Sequence, residues 1–126
     1  MEEVFHPRLD ILPPEQRRLW DELGSVPAEF VLYGGTAIAL HLGHRDSIDF
    51  DFFANVAVDP DDLLERCGFL SGAEVVQREH NTLTCIVDRG GPVQMSFFSV
   101  PKLPRLRPPL RIAEPRLSVA SLIDLA

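Results

Sequence analysis

The stretch Leu32-Tyr33-Gly34-Gly35-Thr36-Ala37-Ile38-Ala39-Leu40-His41-Leu42-Gly43-His44-Arg45-Asp46-Ser47-Ile48-Asp49-Phe50-Asp51-Phe52-Phe53 decides how this chain is read. It begins inside a run of strand formers, Glu29 to Tyr33, which predicts a buried strand. Gly34-Gly35 ends that strand. Thr36 to Leu42 has the composition of a short helix, stopped at Gly43. Ser47 to Phe53 then alternates with a period of two. Ile48, Phe50 and Phe52 share one face of this second strand, and Ser47, Asp49, Asp51 and Phe53 share the other. The pattern is strand, glycine turn, helix, strand.

Two features of this unit carry chemistry. Glycines between a strand and a helix let backbone come close to a ligand. The N–H groups at a helix start, with the helix dipole behind them, favour an anion. Thr36 adds a hydroxyl that can donate to phosphate. Taken alone, a Gly-Gly turn is more often just a tight turn. Asp49 and Asp51 project from one strand face, where like charges repel unless a cation lies between them. Carboxylate oxygens are hard ligands, and Mg²⁺ commonly takes one or two of them together with substrate phosphates. An isolated Asp-x-Asp is more simply a solvated strand face. A strand–glycine–helix–strand unit can set the two features side by side, and few purely structural needs place two acids opposite a glycine cradle.

The flanks fill in an α+β architecture, a mixed β-sheet flanked by helices. Leu12 to Gly24 reads as a helix, with Pro13-Pro14 at its entry and Leu19, Trp20 and Leu23 as its apolar stripe. Asp59-Pro60 marks the cap and first residue of another helix, running through Leu63, Leu64 and Cys67 to Gly68. Glu74 to Arg78, Thr82 to Val87 and Val93 to Val100 read as strands. The turn signals His80-Asn81 and Arg89-Gly90-Gly91 join them into an antiparallel meander. Pro101 to Arg111 holds four prolines and four basic residues, which predicts an extended surface segment. Ser118 reads as the cap of a last helix to Ala126, whose apolar Leu122, Ile123 and Leu125 offer a surface for self-association.

A length of 126 residues fits one domain, 1–126. With 45% apolar and 25% charged residues the chain has the profile of a globular protein. No apolar run has the length of a membrane span, and no h-region follows the acidic N-terminus. Cys67 and Cys85 form no CxxC, and buried free thiols in a cytoplasmic protein are the expectation. The net charge of −7 argues against binding polyphosphate through general electrostatics. Any phosphate must be met locally, by a metal, by backbone N–H groups or by a small basic cluster. Lys102, Arg105, Arg107 and Arg111 form the only basic run; a soluble edge is its simpler reading, a contact with nucleic acid or an acidic partner the other. His41 and His44 are too few for a zinc site; His41 is expected to be semi-buried and His44 to lie at the surface or near phosphate.

Residues 30–53, with weaker similarity from Thr82 to Phe98 and over Ser118-Val119-Ala120-Ser121-Leu122, resemble the AbiEii/AbiGii toxin-type nucleotidyltransferases of the DNA polymerase β-like superfamily. The resemblance implies that Gly34, Gly35 and Thr36 cradle a triphosphate and that Asp49 and Asp51 are catalytic and hold Mg²⁺ (or Mn²⁺). Arg45 would support the phosphates or the loop that carries the acids, and Ser47 is placed with the nucleotide-binding residues. It implies nucleotidyl transfer from an NTP to an acceptor such as tRNA, by the toxin of a bacterial pair with a cognate antitoxin. Two departures stand out. Ser96 falls where the superfamily takes a third carboxylate, with Glu79 or Asp88 as substitutes only if the fold brings one close. The family's C-terminal helical part, which follows this segment, is not in the sequence. Two readings therefore stay open: an enzyme, or a degenerate module of the same fold that binds a nucleotide or a protein without chemistry.

Overall fold

A computed structural model describes residues 7–33, 37, 40–41, 49–101, 109–112 and 115–121. Seven strands form one sheet: β1 (Val31–Tyr33), β2 (Phe50–Ala54), β3 (Glu74–Glu79), β4 (Thr82–Asp88), β5 (Pro92–Ser99), β6 (Leu110–Ile112) and β7 (Leu117–Val119). Their spatial order is β3-β4-β5-β2-β1-β7-β6. The β2–β5 and β1–β7 pairs are parallel and the other four are antiparallel, so the sheet is mixed, as expected. Among the described residues, the helices α1 (Pro14–Trp20) and α2 (Pro60–Arg66) pack with short 3₁₀ turns on one face.

Alternation in β2 sets the layers. Phe50, Phe52 and Ala54 are fully buried, while Asp51 and Phe53 between them are partly exposed. Phe52 stacks on Phe97 of β5 at 5.2 Å, and Phe97 meets Phe30 edge-on at 5.3 Å. Leu19 and Trp20 of α1 and Leu63 of α2 join this main core. A second, smaller cluster of Val31, Tyr33 and Ala120, with Phe53 against it, lies on the opposite face. No buried residue of α1 or α2 belongs to it.

Local chemistry explains the element ends. The Asp59 side chain accepts the Asp61 N–H at 3.0 Å and Pro60 is the first helical residue, the expected entry to α2. Asn81 turns the β3–β4 hairpin at φ +64° and its Oδ1 accepts the Val58 N–H at 2.9 Å. Gly90 turns the β4–β5 hairpin at φ +84°. In the exposed edge strand β3 the register shifts between Val75 and Gln77.

Three expectations are corrected. The helix over Leu12 to Gly24 is divided: α1 closes at Trp20, where the Glu22 N–H turns back to the Leu19 carbonyl at 2.9 Å, and a separate 3₁₀ turn covers Leu23–Ser25. The first strand starts at Val31 because the Phe30 N–H bonds to the Pro27 carbonyl at 3.0 Å and holds the preceding residues in a turn. Ser118 is not a helix cap. It sits in the middle of β7, flanked by the buried Leu117 and Val119, and β6 takes up the end of the segment expected to run extended on the surface. The physical reason is that β1 needs a partner on its outer side, which β7 supplies. The C-terminal helix and its role in self-association fall on residues 122–126, outside the described residues.

Candidate carboxylate site

Asp49 precedes β2 and Asp51 is its second residue, so the period of two keeps both off the core side. Asp51 pairs in register with Tyr33 at the end of β1 and with Ser96 of β5. Chain connectivity puts Gly34 immediately after Tyr33, so the chain leaves β1 for the glycine pair beside the carboxylates. Gly34, Gly35, Thr36, Arg45 and Ser47 themselves lie outside the described residues.

Burial pushes the Asp51 carboxyl above the ordinary carboxylate range, and the neighbouring Asp49 charge adds to the effect. Both causes penalise the ionised form, so the site favours whatever supplies positive charge. Among the described residues no group of three or more histidines, cysteines or acids could enclose a metal ion.

Ser96 pairs in register with Asp51 and is buried. Its hydroxyl is 3.1 Å from the Thr84 hydroxyl, on the next strand of the same row. The row therefore runs Tyr33, Asp51, Ser96, Thr84 across four strands. Neither substitute acid reaches it. Glu79 pairs with Thr82 on the outer edge of the sheet. Asp88 lies at the far end of β4, where its Oδ1 accepts the Gly90 and Gly91 N–H groups, each at 3.0 Å. A neutral hydroxyl pair therefore stands next to Asp51 in this row.

Sequence reasoning missed a hydroxyl partner and an aromatic cluster beside the acids. Thr84 was read only as a strand residue, although register with Ser96 makes it a partner of that hydroxyl. Tyr33 and Phe53 stack at 5.2 Å, and Phe98 meets Phe53 edge-on at 5.3 Å, which gives the next row an aromatic floor. Alternation already put Phe53 on the acid face, and that was the available signal. His41 is part-buried, as expected, with Nε2 2.9 Å from the Ala120 carbonyl. His80 lies exposed in the β3–β4 turn, and His44 is outside the described residues. Cys67 and Cys85 are buried free thiols, as expected. No helix among the described residues is long and apolar enough to cross a membrane.

Comparison with known proteins agrees with this fold. A solved structure from H. pylori, provisionally described as a nucleotidyltransferase, superposes with a TM-score of 0.58 at 17% identity. The match covers 85% of this chain and 51% of that one, so the chain spans about half the length of the structure it matches. At this identity the likeness concerns the fold. No curated protein matches the chain. The model of the family described as nucleotidyl transferase AbiEii toxin, type IV TA system, matches residues 18–113, which take in the β1–β2 unit, the meander and β6. The chain belongs to the AbiEii nucleotidyltransferase toxin family.

Proposed function

We propose that this chain is the nucleotide-binding part of a metal-dependent nucleotidyltransferase, the toxin of a bacterial toxin–antitoxin pair, acting from an NTP onto an acceptor such as tRNA. One observation carries the reading: Asp51, with Asp49 beside it, emerges on the sheet face opposite α1 and α2, in register with Tyr33, the residue that precedes the glycine pair in the chain. Asp49 and Asp51 would hold Mg²⁺ or Mn²⁺; Gly34, Gly35 and Thr36 would meet the phosphates with N–H and hydroxyl donors; Arg45 and Ser47 would support them. The bound ion supplies Lewis acidity and charge neutralisation at the phosphoryl oxygens. The chain's own part is to fix that ion beside the glycine turn. In a chain of net charge −7, this local arrangement is what makes a polyphosphate ligand acceptable. Residues 1–126 act in this reading as one domain, and a cognate antitoxin is the natural partner of such a toxin.

Ser96 favours a second reading, in which the site binds the nucleotide without transferring it. Titration calorimetry tests the shared premise: Asp49→Ala should abolish Mg²⁺-dependent NTP binding, and unchanged affinity would remove both readings. Incubation with labelled NTP, Mg²⁺ and total tRNA separates them, because label transfer excludes a purely binding role.

A further inference from the structure

A cavity of about 190 Å³ lies at the opposite end of β1 from Gly34. Gly24, Pro27 and Ala28 form part of one wall, and Arg111, Arg116 and Ser118 part of the other. Arg111 pairs in register with Ser118 across the β6–β7 hairpin, and Arg116 lies two residues before Ser118. Arg111 in β6 and Arg116, in the turn before β7, thus face the same cavity.

Their surroundings differ from those of every other described arginine. Arg8, Arg17, Arg66, Arg78 and Arg89 bind carboxylates, and Arg18 donates to the Arg89 carbonyl at 2.9 Å. Among the described residues, Arg111 and Arg116 have neither an ion-pair partner nor a hydrogen-bond acceptor, and the Ser118 hydroxyl has no hydrogen-bond partner. Ser118 is 7% exposed and is among the residues that line the cavity. A chain with 19 acids against 12 basic residues does not lack partners for these two. Leaving like charges together around a hollow is unfavourable unless an anion enters. The cavity has room for about six water molecules, the size of a phosphate with part of its ester rather than of a whole nucleoside triphosphate.

We propose that Arg111, Arg116 and Ser118 form a second, oxyanion-binding site that takes a phosphate group. Two guanidinium forks match phosphate oxygens, and the hydroxyl adds a donor at the wall. The site does not depend on the carboxylate reading. It is at least the length of β1, about 10 Å, from Asp51. The phosphate belongs either to a small phosphorylated molecule or to a nucleic-acid backbone.

Titrating the full chain with inorganic phosphate, a nucleoside 5′-monophosphate and a single-stranded RNA hexamer, without divalent metal, tests this by NMR shift and calorimetry. Arg111→Gln and Arg116→Gln should each weaken phosphate binding about tenfold or more. Both residues are exposed, so both variants should fold, as circular dichroism will report. Asp51→Asn should bind phosphate like the parent. Tighter binding of the monophosphate than of phosphate identifies a small-molecule source. Arginine-dependent hexamer binding that falls steeply with salt identifies a backbone. Phosphate binding that is absent, or unchanged in both arginine variants, overturns the site. So does competition by an acidic peptide where phosphate fails, which would assign the arginines to a protein partner.

Discussion

Replacing Ser96 by aspartate would place a third carboxylate beside Asp51, and its cost can be estimated from the structure. The substitution removes the 3.1 Å contact with the Thr84 hydroxyl, worth about 1 kcal/mol. It also sets a new charge on the strand next to Asp51. At a separation of about 5 Å and an effective dielectric of about 20, the repulsion is roughly 3 kcal/mol. Partial exposure of Asp51 and uptake of a proton by one carboxyl reduce this, so a total loss of about 2–4 kcal/mol is expected in chelator. Ser96→Asn has similar size without the charge, and should lose only about 1–2 kcal/mol. Mg²⁺ at ten times its dissociation constant should return about 1.4 kcal/mol to the aspartate variant through preferential binding to the folded state. Urea unfolding of both variants, with Mg²⁺ and with chelator, measures each quantity. The reasoning is refuted if the two variants unfold alike in chelator, or if Mg²⁺ stabilises them equally. Either result would mean that position 96 does not share a charge environment with Asp51.

Other expectations follow from the core and the turns. Phe52→Ala, at a fully buried ring stacked on Phe97, should cost about 3–5 kcal/mol in urea unfolding, with little change in the denaturant slope. Asn81→Ala should cost about 1–3 kcal/mol, since it leaves a side chain at φ +64° and takes the acceptor from the Val58 N–H; Asn81→Gly should recover only the backbone part. Burial pushes the Cys67 thiol up to about 11, so at pH 8 it should react with a thiol reagent at the rate of global opening and not faster. The Arg89 guanidinium holds the Glu22 carboxyl below its ordinary 4.5. Glu22→Gln should therefore destabilise by up to about 1 kcal/mol near neutral pH, and the gap should close only as acid titration passes below 4.5, through the folded-state value.

Much of this architecture was legible because the relevant signals are local. Alternation over Ser47 to Phe53 gave the strand and its two faces, and the structure sends Phe50 and Phe52 to the core and Asp51 outward. Asp59-Pro60, Asn81 and Gly90 punctuate the chain through their own side-chain and backbone chemistry, so the helix entry and both hairpins fall where they were read. What was not legible depends on distant partners. Leu117-Ser118-Val119 has no periodicity long enough to name, and a serine before small apolar residues reads locally as a helix cap. Only β1, lacking a neighbour on one side, makes it a strand. The same holds for the site: Asp51 could be named from sequence, but its row-mates Tyr33, Ser96 and Thr84 are joined by register across strands far apart in the chain.

The parallel pairing of β1 with β7 also has a consequence for biosynthesis. β1 is among the first strands to leave the ribosome, yet the strand that completes its outer side is the last of the seven. At about 5–20 residues per second, the interval between them is on the order of ten seconds. For that time Val31, Leu32 and Tyr33 present unsatisfied backbone and apolar surface, while the β3–β4–β5 hairpins can already close on themselves. The nascent chain is therefore most open to chaperone capture, and to pairing with a neighbouring nascent chain, along this short central strand.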